Sequence, residues 1–252
     1  PSKGSHYAPG AIDMPENGEL PVFAMTAKDE LTMKTPDALL NGAATVNVIK
    51  SCIPNIADPW EMPSIDLDAV LVAIRIATYG ETLDLETKVP NLGEDRTFQV
   101  DLRNILNKLV TAQYVDEIAV GDFIISLRPL TYRQFTQTSL KTFEEQRVFA
   151  TVNNDELPDA DKLAMFAESF KKLTDLTVDM MAHGIKKISI GDTEVTNEEH
   201  IAEFIDNIDK GIYQSIIDHL ELQKQKFVIE PLKVESSEED IAAGAPKEYE
   251  VP

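Results

Sequence analysis

The strongest constraint on the fold is a change of hydrophobic period at Gly80. Residues 67–79 are apolar on most faces of a helix, with Asp66 placed to cap the start and Gly80 placed to end it. From residue 82 to residue 102, apolar side chains instead alternate with polar ones, which is the pattern of a half-buried hairpin. The sequence therefore predicts an α+β fold that is mainly helical and carries a β-hairpin insertion.

Shifts of composition divide the chain into five predicted segments. The start is rich in Gly, Pro and Ser, and the end is rich in Ser, Glu, Ala, Gly and Pro. We expect an extended N-terminal arm at residues 1–19, a helical scaffold at 20–80, a β-rich insertion at 81–130, a helical region at 131–232, and an acidic tail at 233–252 that is disordered unless a partner orders it.

The scaffold opens with two local signals. Residues 20–25 are a short apolar run that predicts a strand. Thr26 and Asp29 have the spacing of a capping box, which predicts the start of a helix. The leucines expected to face a core from this helix are Leu31, Leu39 and Leu40.

The charge and the composition exclude several classes of partner. A net charge of −21 repels phosphate backbones, so we expect no nucleic acid and favour a basic protein partner. The single Cys52 excludes an internal disulfide and any multi-cysteine zinc site. The longest apolar run, residues 69–74, is too short to cross a membrane. Because the chain begins with Pro1 rather than Met, we expect a missing or processed start.

A long helix is predicted at residues 159–183, and its apolar side chains recur near heptad spacing. They are Leu163, Phe166, Phe170, Leu173 and Met180. This spacing suits an antiparallel helical hairpin or a seam for a partner helix. We expect these side chains to pack in a core.

The sequence contains no catalytic constellation. No two glycines lie close enough for a phosphate-binding loop, and no serine stands in a nucleophile elbow. The four histidines lack metal-binding spacing, and Cys52 lies on an apolar helix face, as packing thiols do. We therefore predict no enzyme, no cofactor and no metal. The opposing interpretation is a hydrolase whose pocket is assembled from distant acids.

Three residues are candidates for a protein interface. Trp60 lies in the proline-bracketed loop DPWEMP, where it serves either as an interface anchor or as a plug of the adjacent core. Arg75 interrupts the apolar helix, so its stem is expected to pack while its head reaches water or an acidic partner. Tyr79 lies one turn further on, at the end of the same helix.

The order of these signals resembles one family. The residues that carry the resemblance are LPVFAMTAKDE at 20–30, TPDALLNG at 35–42 and LVAIRIATYG at 71–80, with PSKG at the start. This succession is similar to the baseplate-hub protein family of contractile-tailed phages of the T-even type. The resemblance covers residues 1–110 and, more loosely, the helical half after Thr131.

One departure from that family concerns a metal. Similar chains carry a Cys-Pro-x-Cys-Gly knuckle that binds zinc in the hairpin after Tyr-Gly, whereas this chain has Val-Pro-Asn-Leu-Gly at 89–93. Without thiolates the zinc site cannot form. We expect apolar packing of Val89 and Leu92 to replace the metal.

The resemblance implies a function within a multi-subunit viral tail. It implies a non-enzymatic structural component of the baseplate hub that binds other phage tail and baseplate proteins, located in the virion. The alternative is a tail or hub assembly chaperone, for example for the tape-measure protein, which acts in the host cytoplasm and is absent from the mature particle.

Overall fold

The computed structural model describes residues 1–35, 41–152 and 159–251. Helices predominate there, and the strands form one four-stranded antiparallel sheet and two separate two-stranded hairpins. The predicted α+β, mainly helical class is thus confirmed. Whether the first hairpin is an insertion, and whether the segment boundaries are correct, stay predictions. Leu39 and Leu40 lie outside the described residues.

The first half of the chain supplies short helices and one hairpin. In order these are α1 (Ala27–Met33), α2 (Ala43–Cys52), α3 (Leu67–Tyr79), β1 (Thr82–Lys88), β2 (Asp95–Asp101) and α4 (Leu102–Thr111). The capping box of α1 is present, because Asp29 N–H donates to Thr26 Oγ1 at 3.3 Å and Thr26 N–H donates to Asp29 Oδ2 at 2.8 Å. Gly80 ends α3, and β1 pairs with β2 over all seven residues of each strand.

Two expectations for the scaffold are wrong. Residues 20–25 form no strand. Their backbone does not pair with another strand: Phe23 N–H donates to Cys52 O at the end of α2 at 2.8 Å, and Met25 N–H donates to the side chain of Thr78, Oγ1, at 3.0 Å. Leu31 does not face a core but is 67% exposed.

The second half is built around the four-stranded sheet. Its elements are β3 (Glu117–Val120), β4 (Phe123–Leu127), α5 (Tyr132–Val152), α6 (Asp159–Gly184), β5 (Ile185–Ile190), β6 (Thr193–Val195), α7 (Glu198–Asn207) and α8 (Lys210–Lys226). The strand order is β3-β4-β5-β6. Helices α5 and α6 lie between β4 and β5 in the sequence, and these two strands pair with each other. The helical hairpin therefore begins and ends at neighbouring strands of the sheet. Arg128 N–H donates to Gly184 O at 2.8 Å and so joins the chain just before α5 to the end of α6.

The apolar side chains of the described residues gather in three clusters rather than one core. The largest lies between the sheet and α7 and α8, around Ile125, Ile185 and Ile201. The second lies between α2 and one side of α3, and the third between the other side of α3 and α4. Helix α3 therefore packs on two sides, which explains why its sequence is apolar on most faces.

Asp66 holds the N-terminal arm against the body of the protein. The sequence suggests that Asp66 caps α3, but its side chain makes no cap bond. Instead its buried carboxylate accepts Ser2 N–H at 2.7 Å and Ser2 Oγ–H. Burial and the charge of Asp66 raise the pKa of Tyr7. Residues 1–13 thus differ from the extended form that their composition predicts.

The predicted disorder of the C-terminal tail is also wrong. Its residues form β7 (Leu232–Glu235), the short helix α9 (Glu238–Ala242) and β8 (Glu248–Val251), with β7 paired to β8. This segment contacts the first hairpin: Arg96 binds Asp240 at 2.8 Å, and the Phe98 ring lies edge-on to Tyr249 with centroids 6.2 Å apart. Composition did not reveal these contacts, because each joins residues about 150 positions apart.

The contact between the arm and Asp66 predicts the effect of an isosteric substitution. Asp66→Asn should lower the free energy of unfolding by about 2 kcal/mol, because a neutral amide replaces a buried charged acceptor of several hydrogen bonds. Urea denaturation measures the loss, and hydrogen exchange should show faster exchange in residues 2–13. Asp122→Asn, in the exposed turn between β3 and β4, is the matched control and should change stability by less than about 0.5 kcal/mol. Unchanged stability and arm protection in Asp66→Asn would contradict this role.

Candidate protein-interaction surface

The three candidate interface residues do not form one site. Arg75 and Tyr79 lie one turn apart on α3 and contact each other. Trp60 lies in a short 3₁₀ turn, Pro59–Glu61, and contacts α5 instead. The sequence grouped them by residue type, whereas the fold places them in two separate environments.

Arg75 and Tyr79 form a chain of contacts with Glu30 of α1. The Arg75 guanidinium carbon lies 4.5 Å from the centroid of the Tyr79 ring, within the range of a cation–π contact. The Tyr79 hydroxyl donates to Glu30 Oε1 at 2.8 Å, and this hydrogen bond raises the pKa of Tyr79. The arrangement links the end of α3 to α1. It also keeps the Tyr79 ring at the surface, where the residue is 52% exposed.

Two large apolar side chains in and just before α1 are also exposed. Phe23 is 56% exposed and Leu31, next to Glu30, is 67% exposed. We define the α1–α3 surface as Phe23, Glu30, Leu31, Arg75 and Tyr79. Aromatic and arginine side chains among apolar neighbours are the composition that protein interfaces favour.

Asp29 fixes α1 in the position that exposes Leu31. It is buried, and it accepts the Ser51 hydroxyl of α2 at 3.0 Å in addition to its two bonds from Thr26. Burial alone would raise the pKa of Asp29, but the hydrogen bonds from Thr26 and Ser51 outweigh it and lower the pKa. Residues two apart on a helix point in nearly opposite directions, so burial of Asp29 turns Leu31 outward. The capping box is visible in the sequence, but the burial of Asp29 against α2, which sets this exposure, is not.

Trp60 is held by its own chain. Its ring stacks on Tyr132 with centroids 5.6 Å apart and an interplanar angle of 20°, and the Arg133 guanidinium carbon lies 5.4 Å from its ring centroid. Arg133 Nε–H also donates to Glu61 Oε1 at 3.1 Å. These contacts support the interpretation of Trp60 as a plug between the loop and α5. Its role as an interface anchor stays a prediction.

The turn that replaces the zinc knuckle is closed by hydrogen bonds. Gly93 N–H donates to Val89 O at 3.0 Å, and Val89 N–H donates to Glu94 O at 2.8 Å. Val89 is buried, whereas Leu92 is only half-buried. Within the described residues, no group of three or more His, Cys, Asp or Glu side chains could hold a metal ion.

A cavity of about 440 Å³ brings a histidine close to acidic and hydroxyl side chains. His6, Asp116, Ser126 and Lys186 are among its lining residues, and burial lowers the pKa of His6. The His6 ring packs edge-on against Tyr114, with centroids 5.6 Å apart.

A larger cleft of about 1070 Å³ lies between the first hairpin, α4 and the segment that leads into β7. Its lining is mainly apolar and includes Leu83, Val100, Ile105 and Ile229. Lys108 and Glu230 form an ion pair at 2.6 Å among the lining residues. The cleft therefore suits the binding of an apolar segment better than acid–base chemistry.

Comparison with known proteins identifies one family. The model of the family described as T4 bacteriophage base plate protein matches residues 13–239. No curated protein and no solved structure matches the chain. Among the described residues, no helix has both the length and the apolar character that crossing a membrane requires.

The lowered pKa of Asp29 predicts a pH-dependent effect. Asp29→Asn should lower the free energy of unfolding at neutral pH by about 1 kcal/mol, because the capping box loses its charged acceptor. A lowered folded-state pKa means that the contribution of the carboxylate is complete above the ordinary value of 3.8 and is lost as the pH falls through the folded value. Urea denaturation across a pH series should show the difference between the wild type and the variant shrinking below pH 3.8. A difference that stayed constant down to the acid transition would rule out this account.

Proposed function

Because the chain belongs to the T4 bacteriophage base plate protein family, we propose that it is a non-enzymatic structural subunit of the baseplate hub that binds other tail proteins. Membership of the family gives the chain a structural role among baseplate proteins and a place in the virion tail. The position in the hub, the absence of catalysis and the binding surfaces are the parts that we propose.

The observation that carries the proposal is the amount of exposed surface. The chain exposes 15549 Å² at a mass of 28.0 kDa. A compact monomer of that mass exposes roughly 11,000 Å². The excess of about 4,500 Å² is several times the 800 Å² that each partner buries in a standard interface. Neighbouring subunits that contact the chain on several sides would cover such a surface.

The α1–α3 surface is the part of this area that we assign to a neighbouring tail protein. Phe23 and Leu31 supply uncovered apolar area, and the Arg75–Tyr79–Glu30 contacts hold the adjacent aromatic ring in one orientation. A rigid aromatic group loses little conformational entropy on binding, so it is suited to anchor a contact.

A second candidate function is that of a tail assembly chaperone, for example for the tape-measure protein. The net charge of −21 and the apolar cleft beside the first hairpin favour it, because together they suit a basic, apolar segment of a client protein. A chaperone would leave the particle once assembly is complete.

The two functions differ in what the mature particle contains. Quantitative mass spectrometry of purified mature virions should find the chain at a fixed whole-number ratio to other baseplate proteins. Its absence from virions, together with incomplete tails when its gene is deleted, would reject the hub subunit and support the chaperone.

The α1–α3 surface can be tested by replacing one of its apolar side chains with a charged one. Leu31→Glu should reduce incorporation into particles by at least about tenfold, since a charge desolvated at the interface costs more than 1.4 kcal/mol. Its effect on the free energy of unfolding should be small, because Leu31 is exposed. The matched control is Leu222→Glu on α8, where the leucine is 61% exposed. Equal incorporation of the two variants would show that this surface is not the interface.

A further inference from the structure

The first hairpin is a separate two-stranded sheet, and one of its edges is open. In the part of the chain that the structure describes, β1 pairs with β2 and with no other strand. The C-terminal segment contacts the hairpin at its turn and at β2: Asn91 Nδ2–H donates to Gly244 O at 3.1 Å, and Arg96 binds Asp240 at 2.8 Å. These contacts leave the outer edge of β1 without a neighbouring strand.

The register of the hairpin identifies the backbone groups on that edge. Leu102 N–H donates to Glu81 O and Val89 N–H donates to Glu94 O, each at 2.8 Å. Both bonds continue the register of the strand pairs, so the odd-numbered residues of β1 are the ones that bond to β2. The amides and carbonyls of the even-numbered residues point away from β2. These residues, all of them exposed, are Thr82, Asp84, Glu86 and Lys88.

The edge has few of the features that prevent a sheet from pairing with another chain. β1 has seven residues, contains no proline and pairs with β2 without a bulge. The strands of the C-terminal hairpin, by contrast, have four residues each. A two-stranded sheet is marginally stable by itself, so a third strand would stabilise it. Charged side chains are the protection that β1 retains.

The two faces of the hairpin differ in polarity. One face carries Leu83, Leu85 and Val100, which are half-buried and line the larger cleft. The other face has four acids against one lysine, a net charge of −3: Asp84, Glu86, Asp95 and Asp101 with Lys88. Because side chains alternate along a strand, a strand added to β1 would continue both faces. Its side chains would lie in turn beside leucines and beside acids.

This arrangement defines the chemistry of a partner. We propose that β1 binds an extended segment of another tail protein as a third, antiparallel strand in which apolar and basic side chains alternate. The apolar side chains cover Leu83 and Leu85, and the basic ones face Asp84 and Glu86, since opposite charges on neighbouring strands attract. A second copy of the chain suits the edge less, because it brings a further charge of −21 to the contact.

The inference rests on the proposed function for the source of the segment, a tail protein, but the pairing itself can be measured with purified protein. The probe is a blocked seven-residue peptide of alternating lysine and valine, beginning and ending with lysine. In the antiparallel arrangement its lysines lie opposite the even-numbered residues of β1, so the lysine amides donate to the strand and the valine amides point away.

Backbone methylation of the probe separates strand pairing from general attraction to an acidic protein. Methylating two lysine amides removes two donors to β1, whereas methylating two valine amides removes none. Calorimetric titration of the full chain should show at least tenfold weaker binding of the lysine-methylated peptide. The two peptides carry the same charge, so each is the control for the other. Equal binding, or weaker binding of the valine-methylated peptide, would overturn the proposal.

Amide exchange resolved by NMR locates the added strand. Binding of the unmethylated peptide should slow exchange at Asp84 and Glu86 and leave Thr97 and Gln99, on the outer edge of β2, unchanged. Slower exchange at β2 instead would overturn the proposal. So would protection of Asp84 that appears without peptide and grows with protein concentration, because a second copy would then occupy the edge.

A charge substitution connects binding to the acidic face. Glu86→Lys should weaken binding of the unmethylated peptide about fivefold, since a repulsive cross-strand pair replaces an attractive one. The matched control is Glu235→Lys on β7, which makes the same change of charge at another exposed strand position and should bind like the wild type. Equal weakening in both variants would contradict the proposed contact. None of these results bears on the presence of the chain in virions, so failure here is distinct from failure of the hub function.

Discussion

The buried carboxylate of Asp66 is the interaction on which the arrangement of the first half depends. A charge that is removed from water must be compensated by hydrogen bonds, and the arm supplies two donors from Ser2. Once the arm is held there, Tyr7 packs on the cluster between α2 and α3, while His6 reaches Tyr114 beside the sheet. The arm thereby connects two of the apolar clusters. Buried hydrogen bonds of this kind contribute more to holding the parts of a chain together when its apolar residues form several small clusters than when they form a single large core.

Local signals in the sequence predicted local structure correctly. Three predictions of this kind depend on residues within a few positions of one another. They are the capping box of α1, the extent of α3 with its terminal glycine, and the alternation of apolar and polar residues in the first hairpin. The failures involve distant partners. Asp66 has the position of a helix cap, yet its donors lie 64 positions earlier. The acidic tail has the composition of a disordered segment, yet Arg96 and Phe98 supply contacts that order it.

The candidate surface shows the same division. The spacing of Arg75 and Tyr79 placed them on one helix face, and the structure brings them into contact. The exposure of Leu31 did not follow from its apolar character, because it is set by the burial of Asp29 against α2. On α6 the expectation that the heptad side chains pack in a core is wrong for Leu163 and Phe170, which are 71% and 62% exposed.

These features suit the proposed role of a subunit that neighbouring tail proteins enclose. Its arm and its C-terminal segment fold back on the chain, and large apolar side chains stay exposed, among them Phe23 and Leu31 of the α1–α3 surface. Crosslinking mass spectrometry of mature virions tests this account most directly. Lys28, in the first turn of α1, and Lys34, at its C-terminal end, should be crosslinked to other tail proteins, whereas Lys3 should be crosslinked within its own chain, to Lys186 beside His6. Crosslinks from Lys3 to other proteins, with Lys28 and Lys34 crosslinked only internally, would contradict it.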